Sequence, residues 1–384
     1  MAQRNPTLQE QIDQLMHRFE EVNDLFIEKV AEQILMIGEL NATSMHRITI
    51  MAEMNQNILE INRRLAQAVQ LAIPDLYQVY QNALDELYYD QRFERALKNT
   101  PLSDAARGRL EHYVQSVSRQ TAGTLQNISN TTIASEKYRH AIDTAVLAVS
   151  TGMTDYQAAT RGVVRDLGYN GLQIQYPSGY HKRLDSAVRQ NIIDGTRQIA
   201  IHGSEIMGEE LGYDAVEISV HLRSAPDHEP IQGHVFLKEE FEKMQNQQDF
   251  EDVDGRRYAA IRRPIGQWNC MHIPMSFSTL YSTRKYTDAQ LADIAAANEA
   301  GCEIGGRHYT IYRCTQMMRE IETQVRREME AANMARAVND MDLRRDCQRR
   351  INALNRRYLN IAKAAGLKPR RERMYVPGFR MVKV

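Results

Sequence analysis

The chain has 384 residues, enough for two or three domains that each have their own core. Hydrophobic residues make up 43% of the sequence and charged residues 25%, which is ordinary for soluble protein, and the mean hydropathy is -0.53. No window approaches the roughly 18 unbroken apolar residues of a membrane-spanning helix, and no basic segment followed by an apolar one opens the chain. These features argue against a membrane protein and against a secretion signal.

The net charge is close to zero, but the charges are unevenly distributed. From Arg262 to the C-terminus there are 23 Lys and Arg against 12 Asp and Glu, so this part carries about +11 and the preceding part about -12. Such asymmetry is typical of a segment that contacts nucleic acid or an acidic protein surface. A solvated helix face is the alternative interpretation.

Residues 1–165 have the pattern of amphipathic helices. The letters TLQE at residues 7–10 predict a capping box, in which the threonine and glutamate side chains each accept from the other residue's amide. Apolar residues then recur at every third or fourth position over residues 8–34, which predicts one apolar stripe on a helix. Pro74 and Pro101 indicate helix breaks or first-turn positions. We therefore expect an N-terminal helical bundle.

The pattern changes in the middle of the chain, where glycines and a proline flank the short predicted strand LQIQY. A helix is predicted from about residue 184 to residue 211. The letters AVEISVHL follow, in which apolar and polar residues alternate, and they predict a half-buried strand. The chain is then loop-rich up to Tyr286 and contains its only tryptophan, Trp268. We expect a small α/β core over residues 166–286.

Helical patterns return in the C-terminal part. Thr287 and Gln290 predict a second capping box, and long helices are predicted from near Tyr309 and over residues 342–365. Residues 287–384 therefore form a predicted region of basic helices and tail. The predicted fold class is α+β and mainly helical, with an N-terminal helical bundle, a small α/β core with Cys/His loops and long C-terminal helices.

Two predicted loops carry histidines, and the second of them also carries a cysteine. His221 and His228 lie in HLRSAPDHEPIQGH, and Cys270 and His272 lie in WNCMHIP. Zinc prefers four tetrahedral Cys and His ligands, usually supplied as two close pairs from separate loops. The four residues predict a metal site with zinc as the candidate ion, although their spacings match no standard zinc finger.

Two other interpretations of these residues stay open. The histidines can hydrogen-bond to loop carbonyls while Cys270 acts as a small buried hydrophobe. A catalytic site needs an open ligand position or a nucleophile–base pair. Cys270 and His272 make a poor dyad on spacing alone, but the fold could bring His221 or His228 to the cysteine. Further candidates for a ligand, or for a group that orients one, are Asp227 and His234.

Other chemistry-bearing residues are scattered or basic. The glycines of GCEIGGRHY lack a following Lys-Ser/Thr, so this segment is not a phosphate-binding loop. The segment RRDCQRRINALNRR can neutralise phosphates without reading base sequence, through Arg344, Arg345, Arg349, Arg350, Arg356 and Arg357. The four cysteines are Cys270, Cys302, Cys314 and Cys347. They lack the spacing of a disulfide framework, and this suits a protein of the reducing cytosol.

Several motifs in fixed order resemble the tailed-phage minor capsid protein 2 family, which is close to the head-morphogenesis proteins that accompany the portal. The motifs lie at residues 176–179, 189–196, 214–221, 225–228, 232–236 and 269–272. Later, YTIYRCTQMMREIETQVRR and YLNIAKAAGL…ERMYVPGF are similar to a helix and the closing segment of that family. The resemblance spans roughly residues 70–380. It departs from the family pattern at Ser224-Ala225-Pro226, at Ile231 and at Met271.

The resemblance implies a virion structural protein that is made in the bacterial host cytoplasm and is not an enzyme. It implies a position at the portal vertex or in the capsid interior, with a role in head assembly and DNA packaging or ejection. The implied partners are the portal protein and other capsid proteins, together with packaged DNA through the basic C-terminal region, but no membrane. Residues 1–165 are then the region for portal contact or self-association. The rival hypothesis is a nuclease, peptidase or toxin-like transferase carried in the virion.

Overall fold

The computed structural model describes residues 7–38, 44–131, 134–150, 153, 155–176, 178–266 and 270–384. Contacts group the chain into two compact units. The first comprises Met1–Ile73, Ala122–Asn191 and Met317–Val384, and the second comprises Pro74–Thr121 and Ile192–Gln316. Grouping by contact does not measure which segments fold independently, so the three successive domains predicted from the sequence stay a prediction.

Helices dominate the described part of the chain and confirm the predicted α+β, mainly helical fold class. They are α1 (Leu8–Gly38), α2 (Ser44–Tyr88), α3 (Gln91–Asn99), α4 (Asp104–Thr131), α5 (Ala134–Ser150), α6 (Tyr156–Val163), α7 (Leu184–Glu210), α8 (Lys238–Gln245), α9 (Asp288–Ala300), α10 (Ile311–Ala337) and α11 (Met341–Ala364). A π-helical turn follows α6 directly at Val164–Gly168. Short 3-10 helices lie at Glu229–Ile231 and Arg371–Met374.

The described strands are short and antiparallel. They are β1 (Gln173–Gln175), β2 (His181–Arg183), β3 (Ala215–Ile218), β4 (Val235–Leu237), β5 (Phe250–Glu251), β6 (Arg257–Tyr258), β7 (Pro274–Phe277), β8 (Cys302–Ile304) and β9 (Arg307–Tyr309). The strands β4, β3 and β7 form a three-stranded sheet in that order, and the others form the pairs β1–β2, β5–β6 and β8–β9. Strand β1 confirms the strand predicted in LQIQY.

Both predicted capping boxes are present. At the start of α1, the Thr7 amide donates to the Glu10 carboxylate at 2.6 Å, and the Glu10 amide donates to the Thr7 hydroxyl at 3.3 Å. Thr287 and Gln290 make the same reciprocal pair before α9. The apolar stripe of α1 is also confirmed, because the side chains that recur along it are buried from Ile12 to Ile34.

Pro74 does not break its helix, contrary to the sequence expectation. It lies inside α2, which continues to Tyr88. A proline lacks the N–H that would bond to the carbonyl four residues earlier, here that of Gln70. Arg18 of α1 donates to the neighbouring Leu71 carbonyl at 2.5 Å. Pro101 does precede a helix, since α4 begins at Asp104.

The central strand β3 of the three-stranded sheet is buried on both faces. All four of its residues are buried, including Glu217 at 2% exposed. The alternation in AVEISVHL predicted a half-buried strand, and this was wrong because Glu217 has an internal partner. Arg92 of α3 donates to its carboxylate at 2.6 Å, and the Lys285 amide donates to it at 2.9 Å.

One apolar cluster packs against this sheet in the second unit. Phe250 and Tyr258 stack with ring centroids 5.3 Å apart, and Phe236 meets both rings edge-on. Cys270 belongs to the same cluster and is 1% exposed. The segment leading into β7 is therefore anchored in the core of this unit.

A buried histidine and cysteine cluster as the candidate functional site

The sheet register brings the two Cys/His loops together. Strands β3 and β7 are antiparallel and pair Ile218 with Pro274. The C-terminal end of β3 and the N-terminal end of β7 therefore lie at the same end of the sheet. His221 follows β3, and His272 precedes β7. Their ring centroids are 4.7 Å apart. The pairing of β3 with β7 thus explains why His221 and His272, which are far apart in the sequence, meet.

His228 completes the arrangement. It directly precedes the 3-10 helix Glu229–Ile231, and its ring centroid lies 5.5 Å from that of His272. We call His221, His228, Cys270 and His272 the histidine–cysteine cluster. Three of its members are almost fully buried, with His228 at 0%, Cys270 at 1% and His272 at 3% exposed.

His272 is held as a neutral imidazole. Its Nδ1 lies 2.7 Å from the Ser219 carbonyl, which can only accept, so Nδ1 carries the hydrogen. Its Nε2 therefore accepts from the Ser224 hydroxyl at 2.9 Å. Burial lowers the pKa of His272 to about 4, and the nearby His221, His228 and Arg263 act in the same direction.

His228 joins a backbone carbonyl to the cysteine. Its Nε2 donates to the Arg263 carbonyl at 2.7 Å, and its Nδ1 lies 3.4 Å from the Cys270 sulfur. In the neutral pair the thiol donates to Nδ1, and transfer of that proton gives a thiolate beside an imidazolium. Burial opposes both charges, but their mutual hydrogen bond, hydrogen bonds to the backbone and their electrostatic attraction together outweigh it. The pKa of His228 is raised and that of Cys270 is lowered.

His221 connects the two loops at the edge of the cluster. Its Nε2 donates to the Met271 carbonyl at 2.6 Å, and its backbone amide donates to the Gln232 side chain at 2.9 Å. Burial lowers the pKa of His221 from its ordinary value. The ring is therefore a neutral cross-link between the segment after β3 and the segment before β7.

These contacts place two nucleophile–base pairs side by side. Cys270 faces His228, and Ser224 faces His272, while the second nitrogen of each ring bonds to a carbonyl. The geometry resembles activated nucleophiles in hydrolases. Cys270 is only 1% exposed and Ser224 only 3%, so neither presents its reactive atom to a substrate. In this conformation the pairs hold the two loops together and have no access for catalysis.

The donor atoms do not form a ready metal site. Among the residues that the structure describes, no three His, Cys, Asp or Glu side chains are grouped to hold a metal ion. Both ring nitrogens of His228 and His272 already hydrogen-bond to protein atoms. Zinc coordination there would require breaking one of these bonds at each ring. The predicted zinc site stays a prediction.

The two further ligand candidates have different positions. Asp227 pairs with Arg263 at 3.0 Å and lies 3.7 Å from His228 Nε2, so it borders the cluster. His234 instead lies 3.1 Å from Asp252, and its ring packs edge-on against Tyr258. His234 therefore belongs to a separate polar group.

Several partners in the cluster were missed by sequence reasoning. The Ser219 carbonyl, the Ser224 hydroxyl and the Gln232 amide gave no signal, because serines and glutamines in loops are common. The Arg263 carbonyl is a backbone atom and has no sequence signature at all. Trp268 and Asn269, which precede Cys270 in the second loop, lie outside the described residues.

Comparison with known families gives the decisive observation. Residues 4–360 match the family described as phage minor capsid protein 2. The chain belongs to the phage minor capsid protein 2 family. No match was found among curated proteins or among solved structures. Membership confirms the resemblance seen in the sequence and extends it to the N-terminal helices, while the closing segment ERMYVPGF lies beyond the matched residues.

As a member of the phage minor capsid protein 2 family, the chain is a structural component of a bacteriophage virion. Capsid proteins assemble with other capsid components, so such components are its partners. Within the described residues, no helix is long and apolar enough to cross a membrane. The family places the histidine–cysteine cluster in a structural protein, which agrees with the burial of its reactive atoms.

The predicted basic surface of this capsid protein lies on α11. Arg345 and Arg349 pair with carboxylates one turn away on the same helix. Arg350 contacts Tyr169 and lies 3.4 Å from Glu328, while Arg344 donates to the Arg380 carbonyl at 3.0 Å. The remaining two arginines of the set are exposed, and they are Arg356 and Arg357.

Proposed function

We propose that this chain acts at the portal vertex or in the capsid interior, where it contributes to head assembly and to DNA packaging or ejection. The observation that carries the proposal is the family match over residues 4–360. The portal protein is the proposed main partner, and the N-terminal helices supply the contact. Exposed apolar side chains on α2 support this assignment, since they cover no core and are available to a partner, and they include Leu59 at 68% and Leu71 at 62% exposed.

Deletion with complementation tests this role. A phage that lacks the gene is expected to give few DNA-filled heads, and expression of the wild-type chain should restore them. The restored chain should cross-link to the portal protein in purified heads, as mass spectrometry can show. Filled heads in normal number without the chain, or cross-links only to tail proteins, would contradict the proposal.

We propose packaged DNA as a further partner, contacted through the arginines of α11. The support is the charge of this part of the chain and the exposure of Arg356 and Arg357. Surface ion pairs such as Arg345–Asp342 contribute little to stability. Such an arginine can exchange its carboxylate partner for a phosphate at small cost. The contact would be independent of base sequence because it involves the backbone of the nucleic acid.

The histidine–cysteine cluster has a structural role in this proposal, because it joins the loop after β3 to the loop before β7. Replacing His228 with Ala removes a fully buried ring and leaves the partly buried Arg263 carbonyl without its donor, which is costly. We expect His228→Ala to lower the thermal stability of the chain and its incorporation into heads. His202→Ala, at an exposed histidine of the same unit, is the control.

The Cys270–His228 contact is the one observation that favours the rival enzymatic role. The same variant separates the two roles. A His228→Ala chain that folds and enters heads like the wild type, yet makes particles that lose a hydrolytic activity, would establish catalysis and overturn the structural role.

A further inference from the structure

Cys302 and Cys314, whose spacing in the sequence matches no disulfide framework, lie side by side in the second unit. The sulfur atoms of Cys302 and Cys314 are 3.2 Å apart, and both are free thiols. A disulfide bond is about 2.05 Å long, so the two sulfurs need to approach by only about 1.2 Å to bond. Neither residue takes part in the histidine–cysteine cluster or in the basic surface of α11.

The backbone explains why residues twelve positions apart meet. Cys302 opens β8, which pairs with β9 so that Cys302 faces Tyr309. Strand β9 then runs almost directly into α10, whose first turn carries Cys314. A tight hairpin followed at once by a helix therefore returns the chain to the first residue of the hairpin.

Both cysteines lie on backbone segments that are fixed by other contacts. A Cβ atom at Gly301, where φ is +53°, would lie 2.0 Å from the Tyr309 carbonyl oxygen, so the chain at Cys302 is closely packed. The amide of Tyr312 donates to the Asn298 side chain at 2.9 Å, which holds the start of α10 against the end of α9. The short distance between the sulfurs thus follows from an ordered framework.

We propose that Cys302 and Cys314 form a reversible disulfide, and that this pair is the site at which the protein exchanges electrons with low-molecular-weight disulfides. Both cysteines are buried, but Cys302 is 8% exposed and Cys314 is 0% exposed, so we assign the attack on the small disulfide to Cys302. Burial raises the pKa of Cys314 to about 12, and the Cys302 thiol beside it acts in the same direction. Cys314 is therefore the second, resolving thiol.

The exchange balances in two steps. The Cys302 thiolate attacks one sulfur of a small disulfide such as oxidised glutathione, forms a mixed disulfide and releases one glutathione thiolate. Cys314 attacks the Cys302 sulfur and its proton passes to the departing second glutathione, which leaves as a thiol. Two protein thiols are oxidised to one disulfide while one small disulfide is reduced to two thiols. An excess of reduced glutathione reverses both steps.

The test uses the folded full-length protein in buffers of graded ratio of oxidised to reduced glutathione. After equilibration the exchange is quenched with acid, the protein is unfolded in denaturant with N-ethylmaleimide to block its free thiols, and intact mass and peptide maps are recorded. Oxidation should lower the number of blocked thiols from the four cysteines to two and link the Cys302 and Cys314 peptides. Because the sulfurs are held together, the disulfide should form at an oxidant ratio at least about tenfold lower in the folded protein than in denaturant.

Single variants provide the controls. Cys347→Ser, which removes a buried cysteine outside the pair, should leave the linkage unchanged, and Cys302→Ser should abolish it. Cys314→Ser should stop at a glutathione adduct on Cys302. Four blocked thiols in the oxidised folded wild type, an adduct that never resolves, a linkage between other cysteines, or no preference for the folded state would each overturn the proposal.

Discussion

The surroundings of each buried histidine in this capsid protein decide whether its pKa is raised or lowered. His272 is the clearest case, because it is 3% exposed and its pKa is lowered to about 4. Its unfolded pKa is about 6.5. Between about pH 4 and about pH 6.5, the His272 imidazole therefore binds a proton in the unfolded state but not in the folded state. His272 belongs to the cluster that joins two loops, so protonation there acts on the proposed structural site.

We predict that acidification weakens the fold through His272. Above about pH 6.5 the imidazole is neutral in both states, and its hydrogen bonds contribute fully. As the pH falls from about 6.5 to about 4, stability is lost, by on the order of 3 kcal/mol in total. Urea unfolding at about pH 7 and about pH 4 measures this loss for the wild type and for His272→Asn.

The variant cannot take up the proton, so it should lose less stability on acidification than the wild type does. His202→Asn removes an exposed histidine of the same unit and should retain the wild-type loss. An unchanged pH dependence in His272→Asn would show that this imidazole does not govern the acid response.

At the scale of secondary-structure elements, the central strand β3 shows what alternation predicts and what it misses. The position of the strand was predicted correctly, because apolar residues alternate there. The prediction that one face of the strand is exposed was wrong, because Glu217 on that face contacts Arg92, a residue 125 positions earlier in the chain. A local pattern carries no information on such a distant partner.

We predict that Glu217→Ala lowers the free energy of unfolding by about 1–3 kcal/mol, because Arg92 and the Lys285 amide lose a buried acceptor while Asp90 still pairs with Arg92. Glu94→Ala is the matched control, since the Glu94–Lys98 pair on α3 is exposed and should contribute less than about 1 kcal/mol. Denaturant unfolding measures both. Equal effects of Glu217→Ala and Glu94→Ala would argue against a stabilising role for the buried pair.

Local signals predict the helix α11 almost to its ends, since the sequence pattern indicates residues 342–365 and the structure has Met341–Ala364. A glycine follows at position 366 with φ of +62°, a conformation that favours glycine at a helix end. Helix limits of this kind follow from local signals. Which of its arginines carry carboxylate partners depends on packing, as the contact of Arg350 with Tyr169 and Glu328 shows.

We predict that the double variant Arg356→Gln/Arg357→Gln weakens binding of double-stranded DNA and reduces its salt dependence. Log affinity falls with log salt, and each lost phosphate contact should make this slope less steep by about 0.9. Two lost contacts should make it less steep by about 1.8. Fluorescence anisotropy over a salt series measures this. Arg63→Gln/Arg64→Gln, on an exposed part of α2, is matched in charge and should change the slope less. Equal changes in both variants would indicate nonspecific charge rather than a DNA surface on α11.

At the scale of the whole molecule, the order of motifs predicted more than any single motif did. Composition and periodicity gave the helical fold class, and the ordered motifs indicated the family that the match over residues 4–360 shows. The two contact units could not be predicted, because each joins segments far apart in the chain. The same limitation applies to the site. The residue types and their spacing predict His221, His228, Cys270 and His272 as a set, but only the fold determines that His228 faces the cysteine.

The central claim is that the chain acts at the portal vertex or in the capsid interior, and an asymmetric cryo-electron microscopy reconstruction of whole particles tests it most directly. The account predicts helical density for this chain in contact with the portal or on the inner capsid wall, and loss of that density in particles made without the gene. Density for the chain on the outer capsid surface or in the tail, or its absence from mature and precursor heads, would contradict the account.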